Sequence, residues 1–216
     1  MLNNLNIKCK LCGCTEVELQ DYKIRNITDD SCKMYKCKNC ETHFMYPLPS
    51  QDLSEYYDGT FREEVHTADY YDYNELDKVF NNFLGEAKLR TERVKNDLSA
   101  NDKILEIGSS VGYFTAAISA YVKDVYATEW DSKARAYIKD RLAKYNIHVA
   151  KNPEDFETKF DKIFMFHVLE HIEKPIDFLK NLKQLLNENG KIYIEVPNVD
   201  DVMLKTFRCR PFIEHY

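Results

Sequence analysis

The sequence predicts an α/β protein, a Rossmann-like doubly wound parallel sheet behind a small cysteine-rich N-terminal module. Three observations carry this. Strand-like and helix-like segments alternate from Lys103 onward. A glycine-containing turn directly follows the first of those strands. Six of the seven cysteines fall in the first 40 residues.

The N-terminal stretch, residues 1–46, is polar and cysteine-dense, and it is too short of long apolar periods to bury a core unaided. Cys9-Lys10-Leu11-Cys12 and Cys37-Lys38-Asn39-Cys40 are two C-x-x-C knuckles separated by 24 residues. Two residues between cysteines let both thiolates reach one tetrahedral ion, so the spacing predicts a zinc-ribbon-like module with Zn2+ on Cys9, Cys12, Cys37 and Cys40. Cys14 and Cys32 are surplus thiols. A redox role is disfavoured, because neither pair follows a strand of a βαβ unit.

Pro47-Leu48-Pro49-Ser50 breaks regular structure and marks the module boundary. Residues 47–73 form a linker rich in aromatics, namely Tyr56, Tyr57, Phe61, Tyr70, Tyr71 and Tyr73. Packing is the expected role of most of them, with Tyr57 the one expected at a ligand. The main domain is then residues 74–216. It opens with a helix, since Leu76, Val79, Phe80, Phe83, Ala87, Val94 and Leu98 recur near a 3.6 period.

Next comes a strand, Lys103–Ile107, then a helix over 112–121. A second strand lies at Val125–Thr128, followed by a helix on Ala134, Ile138 and Leu142. A third is Ile147–Ala150 and a fourth Lys162–Phe166. The helix after the fourth is expected to bury Phe178, Leu179, Leu182, Leu185 and Leu186, and to end on a left-handed cap at Asn189-Gly190. A fifth strand, Ile192–Val196, stops at Pro197. Such alternation implies right-handed crossovers, a parallel sheet, and ligands beyond the carboxyl ends of its strands. Those ends carry Gly108, Glu129, Phe166-His167 and Pro197-Asn198.

The turn Glu106-Ile107-Gly108-Ser109-Ser110-Val111-Gly112 departs from the dinucleotide pattern, whose second glycine lets backbone approach a pyrophosphate. Here Ser110 stands at that position. A cofactor without phosphate tolerates the serine, and Glu106 suits an ammonium group. Glu129 comes 21 residues after Gly108, placed to accept two ribose hydroxyls. Trp130, the single tryptophan, suits an adenine face.

In these residues the sequence resembles the class I S-adenosylmethionine-dependent methyltransferases. Their first motif is similar to Leu105-Glu106-Ile107-Gly108-Ser109-Ser110-Val111-Gly112-Tyr113-Phe114, and their strand-two acid to Glu129. Their strand-four segment resembles Phe160-Asp161 through Val168-Leu169-Glu170-His171-Ile172. The resemblance covers about residues 74–200. It implies S-adenosyl-L-methionine as cofactor, with Glu106, Gly108, Ser109, Ser110, Gly112, Tyr113, Phe114, Glu129, Trp130, His167 and Tyr57 around it.

A zinc module joined to such a domain resembles the nucleotide-sugar C-methyltransferase group, in which the zinc domain caps the active site. That resemblance implies a small-molecule acceptor, a nucleotide sugar or surface-glycan precursor. It also implies a base at Glu214-His215, with His171 and Glu170 as the other candidates. A variant reading makes Glu170, His171 and His215 ligands of a divalent ion. Further alternatives are a non-catalytic S-adenosylmethionine-binding or zinc scaffold, a truncated inactive enzyme, and methylation of RNA or protein.

A net charge of −6 gives no basic field for a phosphate backbone, so no nucleic-acid partner is expected. No apolar run reaches membrane-spanning length, and residues 1–6 lack the layout of a signal peptide, so the expected compartment is the cytoplasm. Class I domains usually carry an antiparallel hairpin beyond strand five, for which the remaining residues are too few. The fifth strand is therefore expected as an open edge, with self-association through it.

Overall fold

The computed structural model describes residues 7–21, 32–47, 57–58 and 75–201. Tyr56, Phe61, Tyr70, Tyr71, Tyr73, Cys209, Glu214 and His215 lie outside the described residues, as does everything expected of the chain beyond Asp201. The chain divides into two compact units. One comprises residues 1–50, 167–183 and 195–216, the other residues 51–166 and 184–194.

In the first unit the cysteine module is a three-stranded antiparallel sheet in the order β1-β2-β3. The strands are β1 (Val17–Gln20), β2 (Lys33–Cys37) and β3 (His43–Tyr46), with Val17 opposite Cys37 and Lys33 opposite Tyr46. Its small core holds Ile7, Cys9, Cys37 and Phe44. With Met34 and Cys32 also buried, the apolar core is still too small for independent stability, which is why the cysteine cluster matters.

The second unit is built on the expected sheet. Its strands are β4 (Lys103–Ile107), β5 (Asp124–Thr128), β6 (Ile147–Ala150), β7 (Phe160–Phe166) and β8 (Leu186–Glu195). They run in the order β6-β5-β4-β7-β8, and β4 pairs in parallel with both β5 and β7. Strand order therefore reverses at β4, the switch point where open α/β sheets bind ligands. Being buried on both sides, β4 reads as an almost continuous buried run.

Helix α1 (Leu76–Val94) places Val79 and Phe80 in one core cluster with Val111, Ile138 and Leu142. Its Ala87 enters a second cluster with Ile104, Phe114, Ile118 and Phe164. Helix α2 (Tyr113–Ile118) follows the glycine turn and α3 (Ser132–Arg141) follows β5. The N-cap of α3 is Asp131, whose side chain accepts from the Ala134 N–H at 2.8 Å.

One boundary differs from expectation. Helix α4 spans Pro175–Gln184, and Leu186 already opens β8. Of the four leucines and one phenylalanine expected on its inner face, Leu182 is the fully buried one. Asn189, not Gly190, takes the left-handed conformation, at φ 61°, and it does so inside the strand. Leu185 and Leu186 continue the apolar spacing of the helix past its end, so periodicity alone set the boundary too late. Among the described residues β8 stands at the end of the sheet, and Ile194 is 42% exposed.

Candidate functional site

The turn between β4 and α2 uses three left-handed residues, Gly108 (φ 71°), Ser110 (φ 52°) and Gly112 (φ 77°). Gly112 is required on two grounds. Its φ disfavours a side chain, and a Cβ there would come within 2.9 Å of Leu142 Cδ1 and 3.0 Å of Ile138 Cγ1. The turn is tied to β5 by the Gly108 and Ser109 N–H groups, which both donate to the Thr128 carbonyl at 2.9 Å. Ser109 is fully buried, and its hydroxyl has no partner among the described residues.

Glu129 follows β5. The Ser110 N–H donates to its Oε2 at 2.6 Å and the Asp131 N–H to its Oε1 at 3.0 Å. Beyond it, Trp130 is half-buried, with the Tyr57 ring centroid 6.0 Å away at a 52° tilt. Asp58 Oδ1 accepts the Ser132 N–H at 2.7 Å, and that bond holds its carboxyl below the usual carboxylate range.

Glu106 is 2% exposed, and its Oε2 accepts the Thr115 N–H at 3.1 Å. Burial pushes this carboxyl well above its ordinary value, against the opposing pull of Arg90 and the Thr115 N–H. Arg90, on α1, is itself buried: it pairs with Glu86 Oε1 at 2.8 Å and stands 4.6 Å above the Phe166 ring. Glu106, Gly108, Ser109, Ser110, Gly112, Glu129, Trp130 and Tyr57 thus fall in one unit around one turn. Tyr113 stacks on Phe83 at 5.4 Å, while Phe114 is fully buried against Phe164 and Phe166 and packs the core.

Sequence reasoning passed over Arg90, Asp131 and Arg135. Arg90 lies three residues beyond Ala87 on the apolar stripe of α1, and a charge on such a stripe was the available signal. Asp131 carries an N-cap signature.

In the other unit, Cys9, Cys12, Cys37 and Cys40 bring their sulfurs within 4.8 Å of one another. The Cys9–Cys40 and Cys12–Cys37 sulfur pairs are each 3.5 Å apart. Sulfurs about 2.3 Å from a tetrahedral zinc stand somewhat under 4 Å from each other, so the donor set fits that ion. The Cys14 backbone N–H lowers the Cys12 thiol to about 6, which favours the thiolate a metal needs. Burial pushes Cys9 up to about 12. Among the described residues no other group joins this cluster; Cys14 accepts the Glu16 N–H at 3.4 Å, and Cys32 is buried.

The same unit holds an acid–imidazole chain. His167, left-handed at φ 56°, has Nδ1 3.5 Å from Glu170 Oε1 and Nε2 3.4 Å from Glu195 Oε1. His171 Nε2 lies 3.9 Å from Glu170 Oε1. Glu214 and His215, the expected base, lie outside the described residues.

Comparison with known proteins agrees with this fold. A tRNA U34 carboxymethyltransferase of Campylobacter hominis is 28% identical over 107 residues, covering 45% of this chain and 37% of that protein. A probable S-adenosylmethionine-dependent methyltransferase of Mycobacterium tuberculosis is 24% identical over 110 residues, covering 50% of this chain and 39% of that protein. The chain therefore matches under two-fifths of these relatives' length. Among solved structures, the plantazolicin methyltransferase BpumL superposes with a TM-score of 0.52 at 17% identity, over 74% of this chain and 65% of that one. The DhpI–SAH complex gives 0.51 at 20% identity, over 70% and 73%. Residues 74–215 match the family described as the methyltransferase domain. The chain belongs to that methyltransferase-domain family.

Proposed function

We propose that this chain binds S-adenosyl-L-methionine around the Gly108–Gly112 turn and transfers its methyl group to a small-molecule acceptor. The acceptor class is a nucleotide sugar or surface-glycan precursor. The observation that carries the reading is the Glu129 carboxylate, fixed by the Ser110 and Asp131 N–H groups beside a glycine turn at the sheet's switch point. The residues fit the cofactor. Glu129 suits the ribose hydroxyls, Trp130 and Tyr57 the adenine, and Glu106 the ammonium group, and the buried Ser109 hydroxyl has no partner among the described residues.

When bound, the cofactor supplies a methyl group on a sulfonium whose leaving thioether is neutral, so little electrophilic help is needed. What remains for the protein is to align the acceptor and take its proton. His171 and Glu170 are candidates for that base on sequence, the proton passing to the base as the acceptor forms its bond to the methyl carbon. Glu170 Oε1 lies 3.9 Å from His171 Nε2 and 3.5 Å from His167 Nδ1, and Glu195 Oε1 lies 3.4 Å from His167 Nε2. Glu214-His215 is the alternative base on the resemblance to sugar-methylating enzymes. Zn2+ on the four cysteines holds the N-terminal module together and takes no part in the transfer.

A tRNA acceptor is the second reading, favoured by the named relative from Campylobacter. The net charge of −6 opposes it, because phosphate neutralisation dominates nucleic-acid affinity. Incubation with methyl-labelled cofactor and separate pools of nucleotide sugars and tRNA distinguishes them. Label in the sugar pool supports the proposal, label in tRNA alone supports the second reading, and label in neither contradicts both. The reading places the chain in the cytoplasm, where these substrates are made.

A further inference from the structure

Arg135 does something that its place in the fold does not call for. It is the fourth residue of α3, in the first turn, where the helix dipole presents its positive end and a cation is disfavoured. Its side chain turns back past that end. Nη1 donates to the Glu129 carbonyl at 2.7 Å and to the Trp130 carbonyl at 2.6 Å. These are short, charge-assisted bonds, and one nitrogen has the two hydrogens to make both.

The two carbonyls belong to the two residues proposed to hold the nucleoside. Fixing both C=O groups fixes the peptide planes on either side of Trp130, and with them the directions in which the Glu129 and Trp130 side chains leave the backbone. The rest of the turn is anchored from the other side. Asp131 caps α3, and Asp58 accepts the Ser132 N–H while also facing Arg135 electrostatically. Arg135 and Asp58 thus balance each other across the start of the helix, which offsets the cost of the cation against the dipole. Lys151 is the further cation acting on Asp58.

We infer that Arg135 is a positioning residue for the cofactor site: it sets the Glu129–Trp130 backbone so that acid and indole meet the nucleoside together. It touches no ligand itself. Because it acts through Glu129 and Trp130, its loss should be felt in nucleoside affinity and at the indole, more than in the stability of the sheet. This inference rests on the proposed cofactor site.

The test is a double-mutant cycle in the full chain, read by titration with S-adenosylhomocysteine. Trp130 is the single tryptophan, so its emission reports the turn without a label. Arg135→Gln is expected to weaken binding about tenfold, the size of one or two lost charge-assisted bonds. It should also shift the Trp130 emission, with the thermal midpoint close to that of the parent. Arg135→Lys keeps the charge without the fork and should lie between the two, and it serves in its place should the glutamine variant unfold. In a Glu129→Ala background, Arg135→Gln should cost clearly less than it does alone. Full additivity, or unchanged affinity and emission in the Arg135 variants while Glu129→Ala binds weakly, overturns the inference and leaves the cofactor site standing. Unchanged affinity in Glu129→Ala instead overturns the cofactor site.

Discussion

The Ser110 N–H meets Glu129 Oε2 at 2.6 Å, so a residue standing where dinucleotide-binding turns have glycine is bonded to the acid that ends the next strand. The bond requires Ser110 to adopt φ 52°, a conformation that a non-glycine residue takes at a cost of about 1–3 kcal/mol. The turn and the acid are therefore one construction, and the strain in one is offset by the charge of the other.

Gly112 gives the sharpest test of the turn. Gly112→Ala adds a methyl group 2.9 Å from Leu142 Cδ1 at a left-handed φ of 77°. Overpacking and backbone strain together should lower stability by about 2–4 kcal/mol. Denaturant unfolding reads this directly, and a loss under 1 kcal/mol would mean the turn relaxes in a way the packing does not indicate.

Glu106 makes the pH dependence of the ligand-free chain specific. Its folded pKa is raised by burial from an ordinary value of 4.5. Above that value the unfolded chain releases a proton that the native chain retains. Its contribution to stability is thus complete below 4.5 and is lost as pH rises through the raised folded value. Asp58, with a lowered pKa, acts in the opposite direction as pH falls. Thermal midpoints should accordingly decline with pH more steeply in the parent than in Glu106→Gln, and parallel curves would remove Glu106 from the account.

The cysteine cluster predicts one zinc per chain. Elemental analysis after gentle purification should find it, and a strong chelator should unfold the β1–β3 sheet. Cys14→Ser and Cys32→Ser should leave the content unchanged, whereas Cys37→Ser should abolish it. Zinc-free protein with a full complement of thiols would contradict the assignment.

Edge strand β8 carries exposed Ile194 at the end of the sheet, with no strand beyond it among the described residues. Such an edge invites pairing with a second copy. Light scattering should show association that grows with concentration, and Ile194→Lys should reduce it. A monomer at millimolar concentration would contradict this.

Much of this was legible in the sequence because the signals were local. A strand followed at once by Gly108, or C-x-x-C followed by a turn, needs no partner to be recognised. The strands β1–β3 were not legible, since four- and five-residue segments acquire their identity only by pairing with one another. Leu19, which an alternating pattern would place inward, is 50% exposed. The end of α4 was placed late because Leu182, Leu185 and Leu186 form one apolar run across a helix and a strand. Arg135 was invisible for another reason: its bonds go to backbone carbonyls, which no residue type advertises.

The most direct test of the central claim is calorimetric titration of S-adenosylmethionine into the parent chain and into Glu129→Ala. The account predicts one site per chain, weakened in the variant by about 1.5–3 kcal/mol, as for a hydrogen bond to a charged group. Equal affinity in the two folded proteins, or no binding to the parent, would contradict it.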